Sequence, residues 1–244
     1  MQQNGGIIAF TTKICYNLVM NYHIDTGIIY EKFSEDCECP LCEIEKKVQE
    51  QFLHEFLNDA VMEDNTRIKV GKKGFCAKHF DMLFKRQNKL SVALQIGTRA
   101  DKIAPLLGKV KSAGAAKKRA KEIQSAISNC VICDFIEESM TKYYKTIAQM
   151  FAHEKDFYKI LFALKGFCLN HYAKLLEYSS FAGFMTKDYL SVLSLMQEKN
   201  FARVQTEIKD FCDSHDYRNA YKPLGNAENA LPHARIKFYG EKQE

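Results

Sequence analysis

Apolar residues along this chain recur at helical spacing, and strand-like alternation is scarce. Ile44, Val48, Phe52, Leu53, Phe56, Leu57, Ala60 and Val61 fall on one side of a helix. Moved 91 residues along, the same positions hold Phe135, Ser139, Tyr143, Tyr144, Ile147, Ala148, Phe151 and Ala152, the same stripe with one polar replacement. The pattern predicts two long core helices over 43–63 and 134–153, and two shorter ones over 77–87 and 169–181. Leu90, Ala93, Leu94, Ile96 and Ile103 suggest a further helix within 89–107, and Tyr189 to Phe211 one across 186–214. Only Arg67-Ile68-Lys69-Val70 alternates, which reads as a loop or a short hairpin arm before Gly71. Near the C-terminus, Lys222-Pro223-Leu224-Gly225-Asn226 and Ala230-Leu231-Pro232 are rich in turn formers, so 215–244 is expected to be extended.

Each long stripe begins at a cysteine pair. Cys39-Pro40-Leu41-Cys42 is followed by Gly74-Phe75-Cys76-Ala77-Lys78-His79, and Cys130-Val131-Ile132-Cys133 by Gly166-Phe167-Cys168-Leu169-Asn170-His171. The two CxxC…GFCxxH copies lie in register at offsets of 91 and 92 residues. Three thiolates and an imidazole complete the closed tetrahedral shell of a structural zinc ion. The expected sites are therefore Cys39, Cys42, Cys76 and His79 in the first copy, and Cys130, Cys133, Cys168 and His171 in the second. Two zinc ions are the expected cofactors, with an iron–sulfur cluster as the alternative for the same donors. Gly74 and Gly166 sit where the chain needs a positive φ or close backbone approach. Cys37 offers a substitute thiol beside the first pair, but its counterpart in the second copy is Ser128, which selects Cys39 and Cys42. Cys15 and Cys212 read as packed residues.

The fold class that follows is all-α: two pseudo-repeated helix–zinc–helix units with linking helices and an extended C-terminal segment. The corresponding organisation is an N-terminal extension (1–29), a first zinc-binding repeat (30–108), a basic linker (109–128), a second repeat (129–214) and the tail (215–244).

Composition narrows the setting. The chain has 244 residues, 46% hydrophobic and 27% charged, which suits a globular protein with a substantial core. No apolar run approaches the roughly 18 residues of a membrane span, and the start lacks a signal-peptide pattern. The nine cysteines are an odd number, against a disulfide framework. A cytoplasmic location, where clustered thiols hold metal, is the expectation.

Charge is unevenly placed. Between Arg99 and Lys121 stand eight Lys or Arg against Asp101, a net +7 in a chain of net +5. Lys117, Lys118, Arg119 and Lys121 form a candidate anion-binding face in an Ala-rich helical run. The stretch has no aromatic residue to stack on bases, so a solvated linker helix is favoured over a nucleic-acid site.

Catalytic motifs are missing: no phosphate-binding GxxxxGK[ST] loop, GxSxG elbow or HExxH helix occurs. His153-Glu154 reads as a surface pair, and four protein ligands leave a zinc ion no open position. The CECPLCE opening, the GFCxxH closures and the DYRN…KPxGN…ALP tail resemble an uncharacterised bacterial family of unknown function over residues 30–238. Some members of that family carry transporter substrate-binding labels, which fit poorly without an export signal; residues 1–25 fall outside the resemblance, and Met20 is a candidate start. The function expected is a zinc-stabilised cytosolic interaction or adaptor protein with an unidentified protein partner and no membrane. The alternatives are a thiol-based redox or metal sensor, or an enzyme of unknown reaction.

Overall fold

The computed structural model describes residues 24–58, 63–216 and 225–241. Among them every regular element is helical. The chain runs through α1 (Gly27–Ser34), α2 (Pro40–Asn58), α3 (Asp64–Lys73), α4 (Ala77–Lys85), α5 (Lys89–Ile103), α6 (Ala113–Ile127), α7 (Val131–His153), α8 (Phe157–Ala163), α9 (Leu169–Glu177), α10 (Thr186–Ser214) and α11 (Ala230–Tyr239). Single 3-10 segments cover Ala104–Leu107, Ser179–Met185 and Gly225–Asn229.

The long helices expected from the two stripes are α2 and α7, which lie antiparallel. Phe52 of α2 stacks on Phe135 near the start of α7, with ring centroids 3.9 Å apart. Ile44, Leu53 and Phe56 of α2 and Tyr144, Ile147 and Ala148 of α7 are buried in one continuous core. Each such side chain contributes about 1.5–3 kcal/mol on burial, so the core that α2 and α7 share holds the two long helices together. Ala60 and Val61 lie outside the described residues. The 29-residue α10 adds Tyr189, Leu193 and Met196 to this core.

Two stretches depart from the sequence reading. Residues 67–70 lie inside α3: Gly71 is buried, and a Cβ added to it would stand 3.3 Å from the Thr98 methyl, so the segment needs a small residue to dock on α5. The short alternation there reflects one lysine between two apolar positions, too little to set a strand. Towards the C-terminus, 230–239 form α11 and are not extended, with Pro232 tolerated in the first turn. Tyr217 and Arg218, like Cys15 and Met20, lie outside the described residues.

A buried charged cluster fastens α11. Lys237 is fully buried; its ammonium donates to the Glu38 and Lys165 carbonyl oxygens, both at 2.6 Å, and meets the Glu38 carboxylate at 3.1 Å. Arg203 of α10 grips both oxygens of that carboxylate at 2.8 and 2.6 Å and also binds Glu207, while His233 of α11 contacts Glu207 at 2.7 Å. Burial drives the Lys237 pKa down, and the facing Glu38 opposes that fall. Replacing Lys237 with methionine keeps the volume but removes the donor to the Glu38 and Lys165 carbonyls and leaves the Glu38 carboxylate without one of its cations. It should lower stability by about 3 kcal/mol, seen as a lower urea midpoint at unchanged slope. Lys209→Met, on an exposed position, should stay within about 0.5 kcal/mol of wild type. Equal shifts in the two variants would show that the Lys237 charge does not hold α11.

Candidate metal centres

Four helix N-termini supply the candidate ligands. Cys42 lies in the first turn of α2 and Cys133 in that of α7, while Cys76 and Cys168 cap α4 and α9, whose first turns carry His79 and His171. Gly74 (φ 71°) and Gly166 (φ 99°) turn the chain into the two GFCxxH segments. A Cβ on Gly74 would stand 2.8 Å from Arg99 Nε, and one on Gly166 3.0 Å from Gln197 Oε1, so both positions are closed to larger residues.

The structure gathers the eight residues into two groups, but not as the sequence copies suggest. One centre comprises Cys39, Cys42, Cys168 and His171; the other comprises Cys76, His79, Cys130 and Cys133. Each joins the CxxC of one copy to the CxxH of the other. The expected grouping within each copy is therefore corrected, and the cause lies in helix geometry. From Cys42, α2 travels about 10 Å before Gln49, at about 1.5 Å per residue. The first GFCxxH segment meets α2 there, with Phe75 edge-on to Phe56 and His79 against Gln49, well away from Cys39. Antiparallel packing then brings the start of α7 to that same place, where the Val131 amide donates to the Gly74 carbonyl at 3.0 Å.

Distances within each group suit one tetrahedral ion. In the first centre His171 Nδ1 stands 3.4, 3.5 and 3.3 Å from the Sγ atoms of Cys39, Cys42 and Cys168, and Cys42 and Cys168 are 3.8 Å apart. In the second, His79 Nδ1 lies 3.3, 3.3 and 3.2 Å from Cys76, Cys130 and Cys133, with Cys76 and Cys133 3.8 Å apart. Sulfur at about 2.3 Å and nitrogen at about 2.0 Å from a shared tetrahedral centre would be separated by about 3.8 Å (S to S) and about 3.5 Å (S to N). Thiolates this close repel: burial and the neighbouring Cys130 and Cys76 push the Cys133 thiol up to about 12, and Cys168 and Cys39 push Cys42 well above the ordinary thiol range. A dication between them removes that penalty, so the donor chemistry fits a metal.

The outer edge of each imidazole also has a partner. His79 Nε2 lies 3.1 Å from Gln49 Oε1, and His171 Nε2 lies 3.4 Å from Glu45 Oε2. With Nδ1 facing the thiols, Nε2–H is the donor in both contacts, the arrangement that fixes a ligand tautomer. Burial lowers the His79 pKa to about 4, which keeps its Nδ1 lone pair free. Glu45 and Gln49, four residues apart on α2, thus serve different centres. Sequence reasoning missed both; their i, i+4 spacing downstream of CxxC was the available signal. Around the first centre, the Glu241 amide points to Cys42 Sγ at 3.4 Å, and Gly240 (φ 79°) keeps that segment close. Such packed surroundings leave the first centre buried, whereas Cys133 of the second is exposed and Cys76 is half-buried.

The chain belongs to the DUF6062 family. That family, described as of unknown function, is matched over residues 20–244. No curated protein and no solved structure matches the chain.

Other candidate residues fall outside the centres. Cys37 joins neither group, and burial, followed by Cys39, raises its pKa to about 11; Cys212 is exposed and not packed. His153 is exposed, and Glu154 accepts the Tyr30 hydroxyl. Arg99 donates to the carbonyls of Gly71, Lys72 and Ala126, and Arg119 to that of Leu106 at 2.6 Å. Arg119 therefore ties α6 to the preceding turn, while Lys117, Lys118 and Lys121 remain exposed on α6.

Paired substitutions separate the two groupings. Cys39→Ser with Cys168→Ser disables one centre in the observed grouping and should release about one metal equivalent per chain. Cys39→Ser with Cys76→Ser should release about two. Elemental analysis of purified protein that gives the reverse pattern would restore pairing within each copy.

Proposed function

We propose that this protein is a zinc-stabilised, cytosolic helical interaction protein, in which two Cys3His zinc ions clamp distant segments into one rigid surface. The observation that carries the reading is that each centre offers four donors in a tetrahedral set, with the outer histidine nitrogens engaged by Gln49 and Glu45. A shell complete in protein ligands serves structure, not substrate. Each such site carries a net charge of about −1, and two helix N-termini meet it favourably. All eight cysteines among the described residues are free, in keeping with a reducing compartment.

One observation favours a second reading for the second centre. Cys133 is exposed, and a zinc-bound thiolate open to solvent is an oxidation target, so release of that ion could report oxidant. Controlled peroxide treatment that frees the second ion before the first would favour the sensor.

Purified protein should contain close to two zinc ions per chain and be colourless; brown colour with iron would assign a cluster. Replacement by cobalt should give the absorption of tetrahedral thiolate coordination. Glu45→Ala and Gln49→Ala should each weaken one ion by about 10–100-fold in a chelator competition while leaving the other unchanged. Protein prepared without chelator that holds no metal, or a stable fold unaffected by chelator, would overturn the reading.

A further inference from the structure

The charge asymmetry extends well beyond the stretch from Arg99 to Lys121. Residues 64–127, from α3 to α6, carry sixteen Lys or Arg against four Asp or Glu, a net +12, so the remainder of the chain sums to −7. Such separation is a strong field aimed from one part of the molecule. At its centre lies a groove of about 630 Å³ between α3, α5 and the end of α6.

The groove is built from helical stripes. Asp64, Arg67, Ile68, Gly71 and Lys72 of α3 line it, at spacings i, i+3, i+4, i+7 and i+8, so the face of α3 that docks on α5 at Gly71 forms one wall. The opposite wall brings Lys102, Ile103 and Leu106. Arg99 is pinned in this wall by its carbonyl contacts and is not available to a ligand through those nitrogens. Arg67, Lys72 and Lys102 make no ion pair among the described residues. Ile68 is 54% exposed, and Leu107 and Ile127 beside the groove are 70% and 68% exposed. Finally, α6 buries none of its fifteen residues, so this edge of the molecule has packing surface left over.

From these features we infer that the groove binds an acidic amphipathic helix of a protein partner. The inference rests on the interaction-protein reading above and names the chemistry of the partner. An apolar stripe on such a helix would cover Ile68, Ile103 and Leu106, and flanking carboxylates would meet Arg67, Lys72 and Lys102. This is helix-in-groove recognition, with apolar anchors for affinity and charges for steering and orientation. The ten residues of α3 span about 15 Å, enough to lie against about three turns of a partner. Nucleic acid fits the charge but not the floor: phosphates gain nothing from exposed isoleucine and leucine, and no aromatic ring lines the groove for base stacking.

The test uses the full chain with its metals. A displayed library of 16-residue helical peptides is selected on wild type and counter-selected on Arg67→Glu/Lys102→Glu. The enriched peptides should pair a Leu/Ile stripe with flanking Asp and Glu. Fluorescence anisotropy of an enriched peptide should show at least tenfold weaker binding to Ile68→Asp and to the charge-reversed variant, with zinc content and helical circular dichroism unchanged. Failure to enrich that pattern, or binding indifferent to Ile68→Asp, overturns the inference. Duplex DNA bound more tightly than any enriched peptide, and lost on charge reversal but not in Ile68→Asp, overturns it in favour of nucleic acid. Metal content distinguishes the levels: two zinc ions with a failed peptide arm sinks the groove alone, whereas absent zinc sinks the clamp.

Discussion

The antiparallel seam of α2 and α7 is the constraint on which the rest of this structure depends. Both helices begin at a cysteine pair, so packing them head to tail sends the two pairs to opposite ends of one apolar contact. Each pair then meets the CxxH segment that the other half of the chain delivers. A local finger would close a loop of some thirty residues, whereas these centres join residues separated by 126–132 positions in one case and 51–57 in the other. Longer loops cost more entropy to close, but only logarithmically, and the buried seam has already brought the ends together. A metal ion held at each centre would therefore lock an arrangement that hydrophobic packing selects.

The histidine partners show how closely the seam and the centres are coupled. Glu45 and Gln49 project from successive turns of α2, and the first reaches the centre at the start of that helix while the second reaches the centre at the start of α7. One rigid helix thus orients both imidazoles. Rotation of α2 by even a fraction of a turn would disturb both sites together, so the two centres are not independent modules carried on a scaffold. Tyr144 of α7 makes the reciprocal link, its ring lying 6.1 Å from that of His171.

What was legible in the sequence was whatever is written locally. The period of Ile44 to Leu57 and of Tyr143 to Phe151 predicts α2 and α7, and Gly74 and Gly166 adopt the positive φ expected of them. The donor residues stand out because CxxC and CxxH are short-range motifs. Which pair closes with which CxxH depends on the direction of packing between two helices, and no residue spacing encodes that direction. The fate of 230–239 was hidden for a similar reason. Ala230 to Tyr239 has weak amphipathic character of its own, and its helix is held by Lys237 reaching Glu38 across 199 residues.

The two centres are also unequally buried. A Cys3His site with a dication is anionic, and Glu45 places a further carboxylate beside the first one. Burying that much negative charge is costly unless cations are buried with it. Lys237 and Arg203 are already matched by Glu38 and Glu207, so the favourable field at the first centre comes from the N-termini of α2 and α9 that carry its donors. The second centre has a neutral amide, Gln49, in place of Glu45, and its Cys133 faces solvent. Water can screen the charge there. The two centres thus meet one electrostatic condition in different ways, by helix dipoles around buried thiols at the first and by solvent at Cys133 in the second.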